Sequence, residues 1–204
     1  MSQPNDERWM QHAIDISQNG KGCVEPNPMV GCVLVKDGSL IGEGCHLQFG
    51  GPHAEVNAIS NTTNNHGPES THGATAYVTL EPCCHHGKTP PCTQALIDAK
   101  VDRVVIAHLD PNPKIAGRGV EILCASGVET ETGLLEDEAR KVLRPYLKLL
   151  RTGIPWMIAK WAMTLPLRVG QHPMIRFSGD FPRGAEPDEQ LVRFLAMAVN
   201  AYQN

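Results

Sequence analysis

Three observations predict an α/β layered domain. Short apolar runs fit for buried strands alternate with amphipathic helical patterns from residue 7 to about residue 150. Turns rich in glycine, proline, asparagine and aspartate mark most of the changes between them. With 41% hydrophobic and 20% charged residues over 204 positions, the composition suits one full globular domain and room for a small second one.

The elements can be justified in order. Trp9, Ala13, Ile14 and Ile16 share a helical face, so residues 7–19 are expected to be an amphipathic helix ended by Gly20. Val24 to Pro28 is a turn-rich loop that holds Asn27 between two prolines. Met29 to Val35 is an apolar run for a buried strand, Lys36-Asp37-Gly38 a turn, and Leu40 to His46 the returning strand of a hairpin. Gly50-Gly51-Pro52 breaks the chain, and His53 to Ser60 is expected to be helical. Residues 61–73, rich in Asn, Thr, His and Gly, are expected to be a polar loop. Ala74 to Leu80 is a strand that delivers Glu81-Pro82-Cys83. Pro90-Pro91-Cys92 opens a helix, because proline in a first turn has no N–H bond to lose. A strand over 103–107, a helix over 119–126, a strand over 128–132 and a long helix over 134–150 complete the alternation. Gly153-Ile154-Pro155 reads as a boundary, which separates a domain of residues 1–150 from an extension of residues 151–204.

Composition also excludes several functions. A net charge of −4 and an aromatic content of 5% give no basic patch for phosphates and no base-stacking surface, so nucleic acid is not an expected partner. The opening residues Met1 to Arg8 are polar and acidic, unlike the apolar core of a leader peptide. No apolar run is long enough to span a bilayer. A cytoplasmic protein is expected. The seven cysteines, at positions 23, 32, 45, 83, 84, 92 and 124, then point to metal binding or catalysis for some of them rather than to disulfides. Cys23, Cys32, Cys45 and Cys124 are expected to be small buried hydrophobes.

The chemistry concentrates between His53 and Cys92. A catalytic zinc site takes three protein ligands and keeps a position free for water. His53, Cys83 and Cys92 supply one neutral nitrogen and two thiolates, whose charges cancel that of the metal. His53 and Cys92 start helices and Cys83 follows a strand end, so the three can converge. Glu55, two residues after the imidazole, can then move protons beside the metal. This is the H-x-E and Pro-Cys arrangement of zinc nucleobase deaminases. Glu81 is a competing carboxylate, or a holder of loop backbone. Two alternatives stay open: Cys84 in place of Cys83, and a structural zinc site completed by His85 or His86.

Several motifs together resemble a known family, the bifunctional deaminase/reductase of riboflavin biosynthesis, in its deaminase half. They are Glu25-Pro26-Asn27-Pro28-Met29-Val30-Gly31, His53-Ala54-Glu55-Val56, Thr79-Leu80-Glu81-Pro82-Cys83 and His85-His86-Gly87-Lys88-Thr89-Pro90-Pro91-Cys92. Asp110-Pro111-Asn112-Pro113 and Gly117-Arg118-Gly119 also match. The resemblance covers residues 7–150, and its most specific part is the long stretch between Cys83 and Cys92. It implies a three-layer cytidine-deaminase-like fold with a mixed central sheet. It also implies Zn2+ as cofactor and 2,5-diamino-6-(5-phosphoribosylamino)pyrimidin-4(3H)-one as substrate, deaminated to 5-amino-6-(5-phosphoribosylamino)uracil. By that pattern His53, Cys83 and Cys92 hold zinc and Glu55 shuttles protons. Asn27, His46, His86, Lys88, Thr89, Asp110 and Asn112 line the substrate pocket, and self-association is suggested.

The sequence departs from the family after residue 165. Arg151 to Lys160 and Ala162 to Leu165 resemble the first strand of a reductase domain, but Pro166-Leu167 stands where the family has Asp-Gly. No match follows, although Leu191, Phe194, Leu195, Ala198 and Tyr202 lie at helical spacing. Reductase activity is therefore not expected. Two further readings compete with the leading one: a deaminase of another nucleobase or nucleoside, and a non-catalytic zinc protein.

Overall fold

The structure is a computed structural model that describes residues 5–85, 90–113, 115–156, 159–160 and 176–177. The chain divides into two units, Met1–Trp156 and Met157–Asn204. In the first unit, α1 (Asp6–Ser17) passes through a 3-10 turn ending at Gly20, and β1 (Gly31–Lys36) and β2 (Ser39–Cys45) form the expected hairpin. There follow α2 (Ala54–His66), β3 (Thr75–Leu80), α3 (Cys92–Asp98), β4 (Arg103–His108), α4 (Arg118–Ala125), β5 (Glu129–Thr132) and α5 (Glu136–Thr152).

The five strands form one mixed sheet in the order β2-β1-β3-β4-β5. β1 is antiparallel to both neighbours, whereas β3, β4 and β5 run parallel. Side chains alternate between the faces of a strand, and here both faces are apolar. Cys32, Leu34, Ala76, Val78, Val104 and Ile106 point to one side, where Ala54 and Ala58 of α2, Leu96 of α3 and Leu123 of α4 meet them. Val33, Val35, Tyr77, Val105 and Ala107 point to the other, against Trp9, Met10, Ala13 and Ile14 of α1 and Ala139 and Leu143 of α5. The result is the three-layer α/β/α architecture with a mixed sheet that the resemblance implied.

A buried polar cluster ties α1 to the strands. Arg103 makes two hydrogen bonds to Asp6, at 3.2 and 2.9 Å, and one of 2.7 Å to Glu131. The Tyr77 hydroxyl donates to Asp6 at 2.6 Å. Such a pair holds register well but leaves an uncompensated buried charge if one partner is removed.

The structure corrects two expectations. α2 continues to His66 through a segment that composition marks as a loop. Thr62 is fully buried there and donates to the Ala58 carbonyl at 2.9 Å, so packing against β2 overrides weak helix propensity. Cys32 and Cys45 are buried as expected, but Cys23 and Cys124 are exposed. Cys23 lies in the loop before β1, and Cys124 lies beside Thr130 with 2.9 Å between sulfur and hydroxyl. α5 is the long helix expected there, and it runs through Pro145 at the loss of the amide bond that position would make to the preceding turn.

In the second unit, Ala159–Lys160 pairs antiparallel with Arg176–Phe177 as β6 and β7. The helix expected around residues 191–202 lies outside the described residues. Among the described residues no helix is long and apolar enough to cross a membrane.

Candidate active site

Strand directions bring the chemistry to one edge of the sheet. Because β1 runs against β2 and β3, the start of β1 and the ends of β2, β3 and β4 lie together. Asn27 precedes β1, His46 follows β2, Cys83 follows β3, and Asp110 and Asn112 follow β4. All five, with His53 and Glu55 from the start of α2, line a cavity of about 370 Å³. Cys92, at the first turn of α3, is fully buried behind it.

α2 reaches this edge because β2 presents glycine to it. A β-carbon on Gly44 would lie 2.7 Å from the Ala54 carbonyl oxygen and would also strike the Ala58 amide nitrogen. Only the absence of a side chain allows backbone to rest on backbone here. His53 occupies the N-cap position of α2 in extended conformation and makes no capping bond with its side chain, which is left to face the sulfurs.

The His53 Nδ1 lies 3.2 Å from Cys92 Sγ and 3.6 Å from Cys83 Sγ, and one ligand atom from each of the three residues falls within 4.8 Å of the others. A tetrahedral zinc, with Zn–N of about 2.0–2.1 Å and Zn–S of about 2.3 Å, separates nitrogen from sulfur by about 3.6 Å. The donor set and its spacing therefore fit zinc. Cys83 rather than Cys84 joins the cluster. The Cys92 backbone N–H at the start of α3 donates to Cys83 Sγ at 3.3 Å, and the Thr93 N–H donates to the Cys83 carbonyl at 3.2 Å.

The Cys92 thiol donates to Cys83, and His53 and the Cys92 amide also face it, so Cys83 is lowered to about 4. Cys92 is raised correspondingly, by the same bond first and then by burial. Glu55 is only 3% exposed. Burial, and secondly the charge on Cys83, raises its carboxyl to about 7. That carboxyl feels the charges of Cys83 and His53, which places it beside the donor cluster.

His46 and Asn27 form the opposite wall. His46 Nδ1 is 2.9 Å from the Pro52 carbonyl, which can only accept, so the proton sits on Nδ1. Nε2, 3.2 Å from Asn27 Nδ2, then accepts from the amide. Burial lowers the pKa of His46, which favours the neutral ring that this chain of bonds requires. Its ring meets that of His53 edge-on at 5.3 Å. With its NH2 committed to His46, Asn27 has its amide oxygen available as an acceptor.

Glu81 is the loop-holding carboxylate. Buried at 3% exposure, it accepts from the backbone N–H groups of Asp110 at 3.2 Å, Gly117 at 3.0 Å and Gly119 at 2.9 Å. It thus serves as the anion at the N-terminus of α4 and pins the loop after β4. Gly119 must be glycine for this, since a β-carbon would strike the Pro82 carbonyl. The Asp110 carboxylate accepts from Asn112 N at 2.9 Å and from the Tyr146 hydroxyl, 3.1 Å from each oxygen. Burial raises the pKa of Asp110.

Of the residues expected from sequence, Asn27, His46, His53, Glu55, Cys83, Asp110 and Asn112 line the cavity, and Cys92 joins from behind. His86, Lys88 and Thr89 lie outside the described residues. Sequence reasoning missed Phe49, Ile115 and Tyr146, which also line the cavity. Tyr146 sits in a helix whose periodicity marks it only as a packing residue.

Comparison with known proteins agrees with this geometry. The family model of the cytidine and deoxycytidylate deaminase zinc-binding region matches residues 3–108, a little over half of the chain. The chain is 48% identical over 160 residues to the riboflavin biosynthesis protein RibD of Escherichia coli, which covers 78% of the chain and 42% of that protein. It is 47% identical over 151 residues to the diaminohydroxyphosphoribosylamino-pyrimidine deaminase of Buchnera aphidicola, covering 74% of the chain and 99% of that protein. Among solved structures, RibD of Acinetobacter baumannii is similar with a TM-score of 0.70 and 51% identity, over 74% of this chain and 41% of that one. The chain thus spans about two fifths of the length of the RibD proteins it matches and almost all of the Buchnera enzyme. It belongs to the cytidine and deoxycytidylate deaminase zinc-binding family, in the branch of the RibD-type pyrimidine deaminases.

Proposed function

We propose that this chain is a zinc-dependent hydrolase that converts 2,5-diamino-6-(5-phosphoribosylamino)pyrimidin-4(3H)-one and water into 5-amino-6-(5-phosphoribosylamino)uracil and ammonia, in riboflavin biosynthesis. The observation that carries this reading is the His53, Cys83 and Cys92 donor set with the buried Glu55 carboxylate beside it, at a cavity lined by Asn27, Asp110 and Asn112. The similarity to RibD and to the Buchnera deaminase supports the choice of substrate.

His53 Nδ1 and the sulfurs of Cys83 and Cys92 would hold the metal. Zinc bound by three such ligands supplies a position at which water becomes a nucleophile near neutral pH. Glu55 takes a proton from the attacking water and passes it to a ring nitrogen; a second proton goes to the departing amine. The C2–N bond breaks, ammonia leaves, and a carbonyl oxygen from water remains on C2. The amide oxygen of Asn27 accepts from an N–H group of the pyrimidine, and its bond to neutral His46 keeps it turned that way. Asp110 and Asn112 bind sugar hydroxyls. His86, Lys88 and Thr89 carry over from the resemblance as pocket-lining residues, with Lys88 offering the phosphate a compact point charge.

The deaminase assignment attaches to residues 1–150, with residues 151–204 as an extension. The same reading makes the protein a cytoplasmic, self-associating enzyme that acts on a small molecule and not on nucleic acid. Seven free cysteines, two of them in the donor set, suit a reducing compartment.

A panel of substrates tests the proposal. Ammonia release is expected from the phosphoribosylaminopyrimidine and not from cytidine, deoxycytidylate or guanine. Release from one of those three alone would contradict the substrate assignment.

A further inference from the structure

We propose that Tyr146 is a positioning residue for the active site: its hydroxyl, delivered from α5, fixes the plane of the Asp110 carboxylate so that a free edge accepts a hydroxyl of the bound sugar phosphate. The proposal rests on the function argued above.

Tyr146 is the residue of α5 that lines the cavity, and α5 otherwise packs its Ala139 and Leu143 on the far face of the sheet. The phenol crosses over the end of β4 and stands equidistant, at 3.1 Å, from both oxygens of Asp110. A hydroxyl placed there prevents rotation of the carboxylate, which a single backbone donor, Asn112 N on one oxygen, does not. A carboxylate offers about four acceptor directions, and these two donors leave room on the side that lines the cavity. The Asn112 side chain bonds the phenol oxygen, so the three side chains form one closed set.

Towards Asp110 the phenol acts as a donor. Burial and the adjacent Asp110 charge hold its pKa above the usual tyrosine range, so it stays protonated at working pH. Its ring packs with the α1/α5 core, but the hydroxyl adds nothing to that packing, and the two contributions can be separated by removing the oxygen alone.

The test uses the full chain with Tyr146→Phe, Asp110→Asn and the double substitution. One hydrogen bond to a charged group is worth a factor of about ten. Tyr146→Phe should therefore raise KM for the phosphoribosylaminopyrimidine about tenfold, lower kcat less than about twofold, leave zinc content unchanged, and lower Tm modestly because a buried carboxylate loses a donor. Added to Asp110→Asn it should raise KM no further, because both act through one carboxylate. A second measurement needs no substrate: by carboxyl-carbon NMR, Asp110 should titrate at higher pH in Tyr146→Phe, having lost a donor to its charged form. Additive KM effects, or an unchanged Asp110 titration in an active enzyme, would overturn the role of Tyr146 alone. A wild-type chain that is folded and zinc-loaded but releases no ammonia would overturn the activity on which the proposal rests, and the sugar contact with it.

Discussion

Single side chains in this protein are set by the partners that their place in the sheet provides. Glu55 and Glu81 are both carboxylates at 3% exposure, yet their surroundings divide the work between them. Both line the cavity, but Glu81 accepts from three backbone N–H groups, whereas Glu55 lies beside the donor sulfurs. Asp110 shows the cost of keeping a charge at such a site. Burial raises its folded pKa above the unfolded value of about 3.9. A raised pKa means that its contribution to stability is fully present below the unfolded value and is lost as pH rises through the folded one. Asp110→Asn should therefore melt at a higher temperature than wild type at pH 7, with the difference shrinking as pH falls towards 4. Calorimetry across that range checks the sign. A variant less stable than wild type at pH 7 would show that its hydrogen bonds outweigh the burial of charge.

Elements were legible wherever periodicity and core packing agreed. Strands β1, β3 and β4 announce themselves as apolar runs because both of their faces are buried. The end of α2 was not legible, since Asn61, Thr62, Thr63, Asn64 and Asn65 carry a loop composition and contacts of Asn61 and Thr62 with β2 favour the helix. That His53, Cys83 and Cys92 would converge could be read from residue type and spacing, and so could the place of Glu55 beside them. Tyr146 could not, because its partner lies across the sheet and no local pattern marks it. Nor does spacing disclose that Gly44 sets the depth of α2. Gly44→Ala should push that helix outward, cost about 1–3 kcal/mol in urea denaturation, and weaken zinc retention against a chelator. A variant that loses stability but retains zinc as wild type does would show that α2 moves without carrying His53.

The architecture as a whole is a way to gather loops. One antiparallel strand among parallel ones puts the start of β1 beside the ends of β2, β3 and β4, and helices α2 and α3 begin at that same edge. Positions as distant as Asn27 and Asn112 therefore share one cavity. This arrangement gives the family its room for different substrates, since the donor set stays on helix starts and a strand end while the loops supply selectivity. In the proposed reaction Glu55 moves the protons of a hydrolysis carried out beside a zinc held by His53, Cys83 and Cys92. Ammonia release from the phosphoribosylaminopyrimidine by Glu55→Gln, with zinc content measured on the same sample, tests it most directly. The account predicts one zinc per chain, as in wild type, and a rate lower by about 10²–10⁴-fold. Undiminished release by the zinc-loaded variant would contradict it.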